Sequence, residues 1–299
     1  MIKIVVPATS ANVGPGFDCL GVALSLYNTF YIEEIEEGFE FEGCEDKFKN
    51  DKNLVAKSMA YFFKNEAPDF VPSGYRIKFE SDIPVSRGLG SSAACIVAGV
   101  IAANHFSGIG LKKDALLRIA TEIEGHPDNV APALFGNMTI ALCNNIGELS
   151  MDIVDISEDI KFCALIPDFR LSTEKSRSVL PDSISYKDAV FNISRAAMLV
   201  SSLSFGNTEL LKYACDDRLH QPYRSTLIPE FETVVDIAYS YGAHGVFLSG
   251  AGPTVMTVIS GSLNNFIDDI EPNLVNLQYK WHAKVLQCDK KGAQLNILE

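Results

Sequence analysis

The chain has 299 residues, of which 47% are hydrophobic, and its formal net charge is −13. This length allows one large domain or two ordinary ones, and the apolar fraction supplies a core, which excludes a disordered chain. The negative charge argues against a general nucleic-acid binder and against attachment to anionic lipid. We therefore expect an acidic soluble protein with no nucleic-acid or membrane partner.

The N-terminal half begins with a strand that we expect to end at Pro7, because proline cannot donate to a sheet. The next segment, 8–21, is rich in small and turn-forming residues and is predicted to be a loop. Apolar spacing then predicts strands at 23–35, 75–80 and 137–143 and helices at 53–65, 91–106 and 111–124. The apolar run 93–103 is shorter than the roughly 20 residues of a membrane span, so it is interpreted as a buried helix.

The C-terminal half alternates between strand and helix. Strands are predicted at 162–167, 245–248, 255–259 and 281–287, and helices at 229–241 and 263–274. This order predicts an α+β sandwich of the ferredoxin type. A polar stretch at 150–160 suggests a boundary, so the predicted domains are 1–155 and 156–299.

Seven cysteines are scattered along the chain without a Cys-x-x-Cys pair. Their odd number and wide spacing indicate reduced thiols rather than disulfides or a zinc cluster. The N-terminal apolar run is too short for a signal peptide. Together these features predict a cytoplasmic protein.

The segment Gly88-Leu89-Gly90-Ser91-Ser92 combines two glycines with the predicted start of a long helix. Backbone N–H groups at such a terminus can bind an anion, and glycine lets the anion approach closely. No lysine follows the last glycine, which excludes a P-loop. The spacing also fits a dinucleotide fingerprint, although Pro84 to Arg87 form a poor central strand before it. A phosphate site and a tight turn with serine caps are both open at this point.

Three motifs resemble those of the GHMP kinases, a group that includes galactokinase, homoserine kinase, mevalonate kinase and phosphomevalonate kinase. They are PATSANVGPGFD at 7–18, PVSRGLGSSAA at 84–94 and SGAGPT at 249–254. Within that superfamily, three more segments are similar to the homoserine kinase family: EGHPDNVAP at 124–132, STEKSR at 172–177 and QPYR at 221–224. The resemblance implies a two-domain α+β fold. Its N-terminal ATP-binding domain would resemble ribosomal protein S5 domain 2, and its C-terminal domain would be ferredoxin-like.

The resemblance also implies the reaction and its cofactors. ATP and L-homoserine would give ADP and O-phospho-L-homoserine in threonine biosynthesis, with Mg²⁺ bridging the β- and γ-phosphates. Ser92 and Glu122 are assigned to the metal, with Glu124 as a close competitor. The nucleotide is assigned to Asn53 at the adenine and, around the phosphates, to Pro84, Val85, Ser86, Arg87, Gly88, Leu89, Gly90, Ser91, Ser92, Ala93, Ala94 and Cys95.

The amino-acid substrate requires cations for its carboxylate and an acceptor for its ammonium group. The family pattern assigns Arg224 and Arg177 to the carboxylate, since a guanidinium can bind it bidentately. It assigns the ammonium and the remaining polar contacts to Asp18, Asn12, His126 and the backbone at Gly250. Thr173, Arg177 and Asn129 are the expected catalytic residues, and alignment with charge neutralisation is expected to replace a dedicated base.

Several alternatives stay open from the sequence. The chain could be a GHMP kinase for mevalonate or a sugar, a regulatory relative that kept only the fold, or a dinucleotide enzyme. Arg177 and Arg224 together with the acidic Asp18 favour an amino acid over a neutral sugar. The oligomeric state is open, and a homodimer is one candidate.

Overall fold

The computed structural model describes residues 1–144, 148–261 and 265–298. Its first sheet has seven strands in the order β11-β1-β2-β4-β3, with β5 paired to β2 and β6 to β5. These strands are β1 (Ile2–Ala11), β2 (Leu20–Ile35), β3 (Phe39–Glu42), β4 (Gly74–Ser81), β5 (Met138–Cys143), β6 (Leu149–Val154) and β11 (Gln294–Ile297). All described pairings in it are antiparallel except β3 with β4.

Four helices accompany this sheet: α1 (Leu54–Glu66), α2 (Ser91–Ser107), α3 (Lys113–Glu124) and α4 (Pro127–Phe135). Helices α2 and α4 pack on its strands, α1 packs on α2, and α3 packs on α2 and α4. The predicted apolar helix is α2, whose residues from Ala93 to Ala103 are buried except Cys95. Gly99 lets α1 approach it closely, because a Cβ there would lie 2.5 Å from the Val55 carbonyl oxygen. Among the described helices, none combines the length and apolar character needed to cross a bilayer.

The second sheet contains β7 (Ile160–Ile166), β8 (Gly245–Leu248), β9 (Val255–Ser260) and β10 (His282–Leu286). Its order is β10-β7-β9-β8, and every pairing is antiparallel. Counted along the chain, the strands lie in the order fourth, first, third, second. This order and the helices between the strands confirm the ferredoxin-like prediction.

The helices of the C-terminal half are α5 (Thr173–Arg177), α6 (Tyr186–Phe205), α7 (Leu211–Ala214), α8 (Gln221–Arg224), α9 (Phe231–Ser240) and α10 (Phe266–Leu274). Helices α9 and α10 contribute Val234, Ile270 and Leu274 to a core around the fully buried Trp281. Residues 263 and 264 of the predicted last helix lie outside the described residues.

The first strand is longer than predicted, since it continues through Pro7 to Ala11. The register with β2 shifts between Pro7 and Ala8, and β11 pairs only with residues 2–5. Proline is tolerated because β1 has a ladder partner on one side only at that point. The prediction of a loop over 8–21 was therefore wrong for its first four residues, which belong to β1, and for Leu20 and Gly21, which begin β2.

The C-terminal strand also departs from the expected organisation. The chain passes from the first sheet to the second between Val154 and Ile160, but β11 returns to the first sheet, where Ile297 pairs with Ile2. The range 156–299 thus includes a strand of the first sheet.

Candidate active site

A cavity of about 650 Å³ lies between the two parts of the fold, lined by residues from 12–129 and from 170–252. All three glycine-containing motifs contribute to its wall. Because both parts supply polar side chains to it, the cavity is the candidate active site.

Direct contacts join the three motifs. The Ser249 hydroxyl donates to the Gly88 carbonyl oxygen at 2.6 Å, and the Ser10 hydroxyl lies 2.7 Å from the Ser249 hydroxyl. A Cβ at Gly88 would lie 2.4 Å from the Ser249 carbonyl oxygen. The contact is therefore open to glycine alone, and it fixes the second motif against the third.

The start of α2 faces this cavity. Gly90 precedes the helix at φ 70° and supplies no side-chain cap to the first N–H groups. A Cβ there would meet the Thr9 hydroxyl oxygen at 1.9 Å. Gly90, Ser91 and Ser92 line the cavity, so the uncapped N–H groups and the partial positive charge of the terminus form a site for an anion.

A carboxylate lies beside the hydroxyl of this helix start. Ser92 donates from its Oγ to Glu124 Oε2 at 3.0 Å. Burial is the main cause that raises the pKa of Glu124 above its ordinary value. Two oxygen ligands of this kind suit a hard cation such as Mg²⁺.

Glu122, the carboxylate preferred from the sequence, points elsewhere. It accepts from the Tyr61 hydroxyl at 3.0 Å and from Arg118 at 2.7 Å, and it does not line the cavity. Gly125 at φ 95° ends α3, so His126 is the extended residue before α4 and shares no helix face with Glu122. Glu124, not Glu122, is therefore the carboxylate hydrogen-bonded to Ser92.

The N-terminal end of α4 carries two further polar contacts. His126 Nδ1 lies 2.7 Å from Asp128 Oδ1, and this hydrogen bond is the main cause that raises the pKa of His126. Asn129 accepts from the Thr9 hydroxyl at 2.8 Å. His126 and Asn129 line the cavity, whereas Asp128 is buried behind them.

A cation and an anion lie close together at another part of the wall. Arg177, in the last turn of α5, forms an ion pair with Asp18 at 2.7 Å. The backbone N–H of Asp18 donates to Asn12 Oδ1 at 2.9 Å. Both Asn12 and Asp18 hold positive φ values, 53° and 52°, a strained conformation that often occurs at ligand sites.

Arg224 is the most unusual charge in the structure, since it is 1% exposed yet lines the cavity. Its Nη1 donates to the Gly250 carbonyl oxygen at 3.0 Å and its Nε to the Ser176 carbonyl oxygen at 3.3 Å. Burial lowers its pKa to about 10. No ion pair in the described part of the chain includes Arg224, so its charge is available to an anionic ligand.

Most of the residues predicted for the site lie together. Those that line the cavity are Asn12, Asn53, Pro84, Val85, Ser86, Arg87, Gly88, Gly90, Ser91, Ser92, Cys95, His126, Asn129, Thr173, Arg177, Arg224 and Gly250. Leu89, Ala93 and Ala94 are buried behind the wall, and Asp18 reaches it through Arg177.

Asn53 has a second task, because its side chain caps α1. Its Oδ1 accepts from the Val55 N–H at 3.0 Å, and its Nδ2 donates to the Phe48 carbonyl oxygen at 3.0 Å. Sequence reasoning missed two cations of the wall, Lys52 and Arg170. Their signal was weak, since isolated basic residues in polar segments usually lie on the surface.

Two family models match this chain. Residues 53–137 match the GHMP kinases N terminal domain, and residues 205–273 match the GHMP kinases C terminal domain. A homoserine kinase of Clostridium botulinum (strain ATCC 19397 / Type A) is 53% identical over 296 residues, 99% of each chain. Another, from Clostridium botulinum (strain Alaska E43 / Type E3), is 47% identical over 296 residues, 99% of this chain and 98% of that one.

The fold shows the same similarity. The crystal structure of homoserine kinase from Cytophaga hutchinsonii ATCC 33406 matches with a TM-score of 0.87 at 27% identity, covering 99% of this chain and 97% of that one. The similarity therefore extends over both sheets and over the cavity between them.

Proposed function

Because the chain belongs to the homoserine kinase family of the GHMP kinases, we propose that it transfers the γ-phosphoryl group of ATP to the side-chain hydroxyl of L-homoserine. The products are ADP and O-phospho-L-homoserine, which places the enzyme in threonine biosynthesis. Its seven cysteines are free thiols, which supports a reducing, cytoplasmic location.

One observation carries the proposal. Arg224 is a buried guanidinium without an ion-pair partner in the described residues, and it lines the cavity. A buried charge of this kind is costly unless a ligand compensates it. A carboxylate bound at Arg224, with Arg177 beside it, supplies the compensation. Mevalonate offers a carboxylate but no ammonium group for Asp18, and a neutral sugar offers neither group.

The ammonium group of the substrate is assigned to Asp18. This carboxylate is half-exposed, already bound to Arg177 on one side, and held by Asn12 through its backbone N–H. His126 and the Gly250 backbone complete the polar contacts. Thr173 and Asn129 are assigned to the hydroxyl end, because both line the cavity and carry groups that bond an alcohol.

The nucleotide is assigned to the helix start. Backbone N–H groups after Gly90 bind the phosphates, and the wall from Pro84 to Cys95 with Asn53 surrounds the rest. Ser92 and Glu124 fit Mg²⁺, since both present oxygen to the same point. Ser92 and Glu124 would hold Mg²⁺, which would supply positive charge to the phosphates.

Proton removal needs no dedicated base in this arrangement. Asp128, the acid nearest to the hydroxyl-binding residues in sequence, is buried and hydrogen-bonded to His126, and it does not line the cavity. A loose phosphoryl-transfer transition state depends chiefly on alignment and electrostatic stabilisation. Asn129 and Thr173 supply the alignment, and Arg177 adds positive charge.

A coupled ADP-release assay with a panel of acceptors tests the proposal. We expect kcat/KM with L-homoserine to exceed that with mevalonate and galactose by at least about 100-fold, since both lack a charged group and losing a charged contact costs a few kcal/mol. L-Serine keeps both charged groups but is one methylene shorter, so its hydroxyl is displaced from the γ-phosphate and its turnover should also be lower. A preference for mevalonate or galactose would assign the chain to another GHMP kinase activity.

We further propose that the chain forms a homodimer through α6. Tyr186, Val190 and Ile193 are 88%, 53% and 70% exposed. Apolar positions 186, 190, 193 and 197 recur at alternating spacings of four and three, a helix-packing seam.

Light scattering after size exclusion tests the dimer. Ile193→Asp should convert it to a monomer, because a charge would be buried in the interface. Ser194→Asp, a charge one position away on an exposed polar residue, is the control and should leave the mass unchanged. A monomeric wild type would rule out this proposal.

A further inference from the structure

His220 is fully buried, 0% exposed, and none of the roles assigned above includes it. It stands immediately before α8, four residues before Arg224, and packs against the segment 14–18 that leads to Asp18. A fully buried histidine between two substrate-binding elements requires partners for both ring nitrogens.

The two ring nitrogens have different partners. Nε2 lies 2.9 Å from the Gly14 carbonyl oxygen, which can only accept, so Nε2 carries the proton. Nδ1 then has a free lone pair, and Arg224 Nη1 lies 3.4 Å from it. The imidazole thus donates to the loop and accepts from the guanidinium.

The ring is held in its neutral form. Burial is the main cause that lowers the pKa of His220. The charged groups around it are Asp217, with Oδ2 3.6 Å from Nε2, Arg224 on Nδ1, and Asp18 at longer range. A neutral ring adds no second positive charge beside Arg224.

Phe17 extends the contact to both arginines. Its ring stacks on His220 with centroids 5.4 Å apart and an interplanar angle of 23°. The guanidinium groups of Arg224 and Arg177 lie 5.1 and 5.7 Å from the Phe17 ring centroid. His220 therefore contacts Phe17, the residue before Asp18, while also contacting Arg224.

A buried carboxylate fixes His220 itself. Asp217 accepts from the backbone N–H groups of His220 at 2.8 Å and Gln221 at 2.6 Å. It also accepts from Asn192 at 2.6 Å, and Asn192 donates in turn to the Pro15 carbonyl oxygen at 3.3 Å. The loop is thus tied to His220 directly at Gly14, and at Pro15 through Asn192 of α6 and Asp217.

We infer that His220 is a positioning residue that sets the distance between the ammonium-binding Asp18 and the carboxylate-binding Arg224. The inference rests on the proposed function, because it concerns how the two ends of L-homoserine are matched. A substrate with its charged groups at a fixed separation binds well only if the protein groups keep the matching separation.

Two variants test the inference. His220→Gln keeps a donor that can reach Gly14 and an acceptor for Arg224, whereas His220→Leu keeps the bulk and neither bond. We expect His220→Leu to raise the KM for L-homoserine by about 10- to 100-fold, the usual cost of losing a residue that orients a ligand-binding group. Its KM for ATP should stay within about twofold, and His220→Gln should recover most of the loss.

His244→Leu is the matched control, since His244 is partly buried and hydrogen-bonded to Ser260 but does not line the cavity. It should leave both KM values unchanged. If His220→Leu does not fold, His220→Asn serves instead, because its shorter side chain cannot span to Gly14. It should then show the raised KM for L-homoserine.

Equal increases in both KM values, or a homoserine KM that stays at the wild-type value, would overturn the inference. Failure of His220→Gln to recover activity would overturn the hydrogen-bond account. The wild-type enzyme separates these results from the proposed function. Wild-type turnover of L-homoserine with an unchanged KM in the variants defeats the inference alone, whereas no wild-type turnover defeats both.

Discussion

Replacing Glu124 and Glu122 separately by glutamine distinguishes the two carboxylates of α3. Glu124 accepts from Ser92 at the start of α2, whereas Glu122 accepts from Tyr61 and Arg118 outside the cavity. If Glu124 holds Mg²⁺, Glu124→Gln replaces a negatively charged ligand of the cation with a neutral amide. Loss of a comparable electrostatic contact lowers kcat by about 100- to 1000-fold, or about 2.7–4 kcal/mol.

Glu122→Gln is the matched control, because it makes the same chemical change two residues away. It loses an exposed ion pair with Arg118, which is worth about 0.2–1 kcal/mol of stability and no catalysis. Steady-state rates at several Mg²⁺ concentrations measure both variants. The reasoning is refuted if the two variants lose equal activity, or if only Glu122→Gln alters the Mg²⁺ dependence.

The remaining predictions concern the substrate, the proton, the base and the glycine turn. Arg224→Leu should raise the KM for L-homoserine by about 30-fold or more, since breaking a buried charge contact costs about 2–5 kcal/mol. The same variant should leave turnover of 3-aminopropan-1-ol unchanged, because this alcohol lacks the carboxylate. Equal losses with both substrates would contradict the assignment of Arg224 to the carboxylate. Because the pKa of Glu124 is raised, activity should begin to fall on acidification at a pH above the range in which carboxyl groups usually titrate. Added Mg²⁺ should move this fall in activity to lower pH, because the cation competes with the proton for Glu124. An acidic fall in activity that does not shift with Mg²⁺ would argue against Glu124 as a metal ligand. Asp128→Asn should keep kcat within about tenfold of the wild-type value. A loss of about 10²- to 10⁴-fold, which is typical of removing a general base, would identify Asp128 as that base. Gly90→Ala should destabilise the protein in urea more than Gly108→Ala, because both glycines have positive φ but only the Cβ at 90 meets another atom, Thr9 Oγ1, within 4 Å; equal losses would show that backbone strain alone decides.

Local patterns predicted much of the fold. The apolar run of α2 and the alternation of strands β7 to β10 with helices were visible because burial and period coincide there. The helix predicted at 53–65 corresponds to α1, which Asn53 caps. The helix α4 was missed, since Pro127 and Pro132 usually signal a break, yet Pro127 stands in the first turn, where its missing N–H costs nothing.

Non-local contacts could not be predicted from local patterns. The pairing of β11 with β1 joins the two ends of the chain, and no local feature of residues 294–297 predicts this pairing. The same limit applied to the identity of the glutamate that contacts Ser92. The family resemblance favoured Glu122 with Glu124 as a close competitor, and only the end of the helix at Gly125 and the packing against α2 decide which one faces the cavity.

The sequence predicted the chemistry of the site better than its support. Arg177 and Arg224 were expected to act together, but the complete burial of Arg224 and its bond to the Gly250 carbonyl oxygen depend on the meeting of α8 with the third motif. His220 carried no signal of its own, because a lone histidine before a helix is usually a packed core residue.

Phosphorus and proton NMR of the reaction mixture tests the central claim most directly. The wild-type enzyme is incubated with ATP, Mg²⁺ and L-homoserine, and the new phosphorus signal is correlated with the protons of the product. The account predicts one phosphomonoester coupled to the side-chain methylene next to the former hydroxyl, in a molar amount equal to the ADP formed. Phosphate released only in inorganic form, or ADP formed at the same rate without L-homoserine, would contradict it.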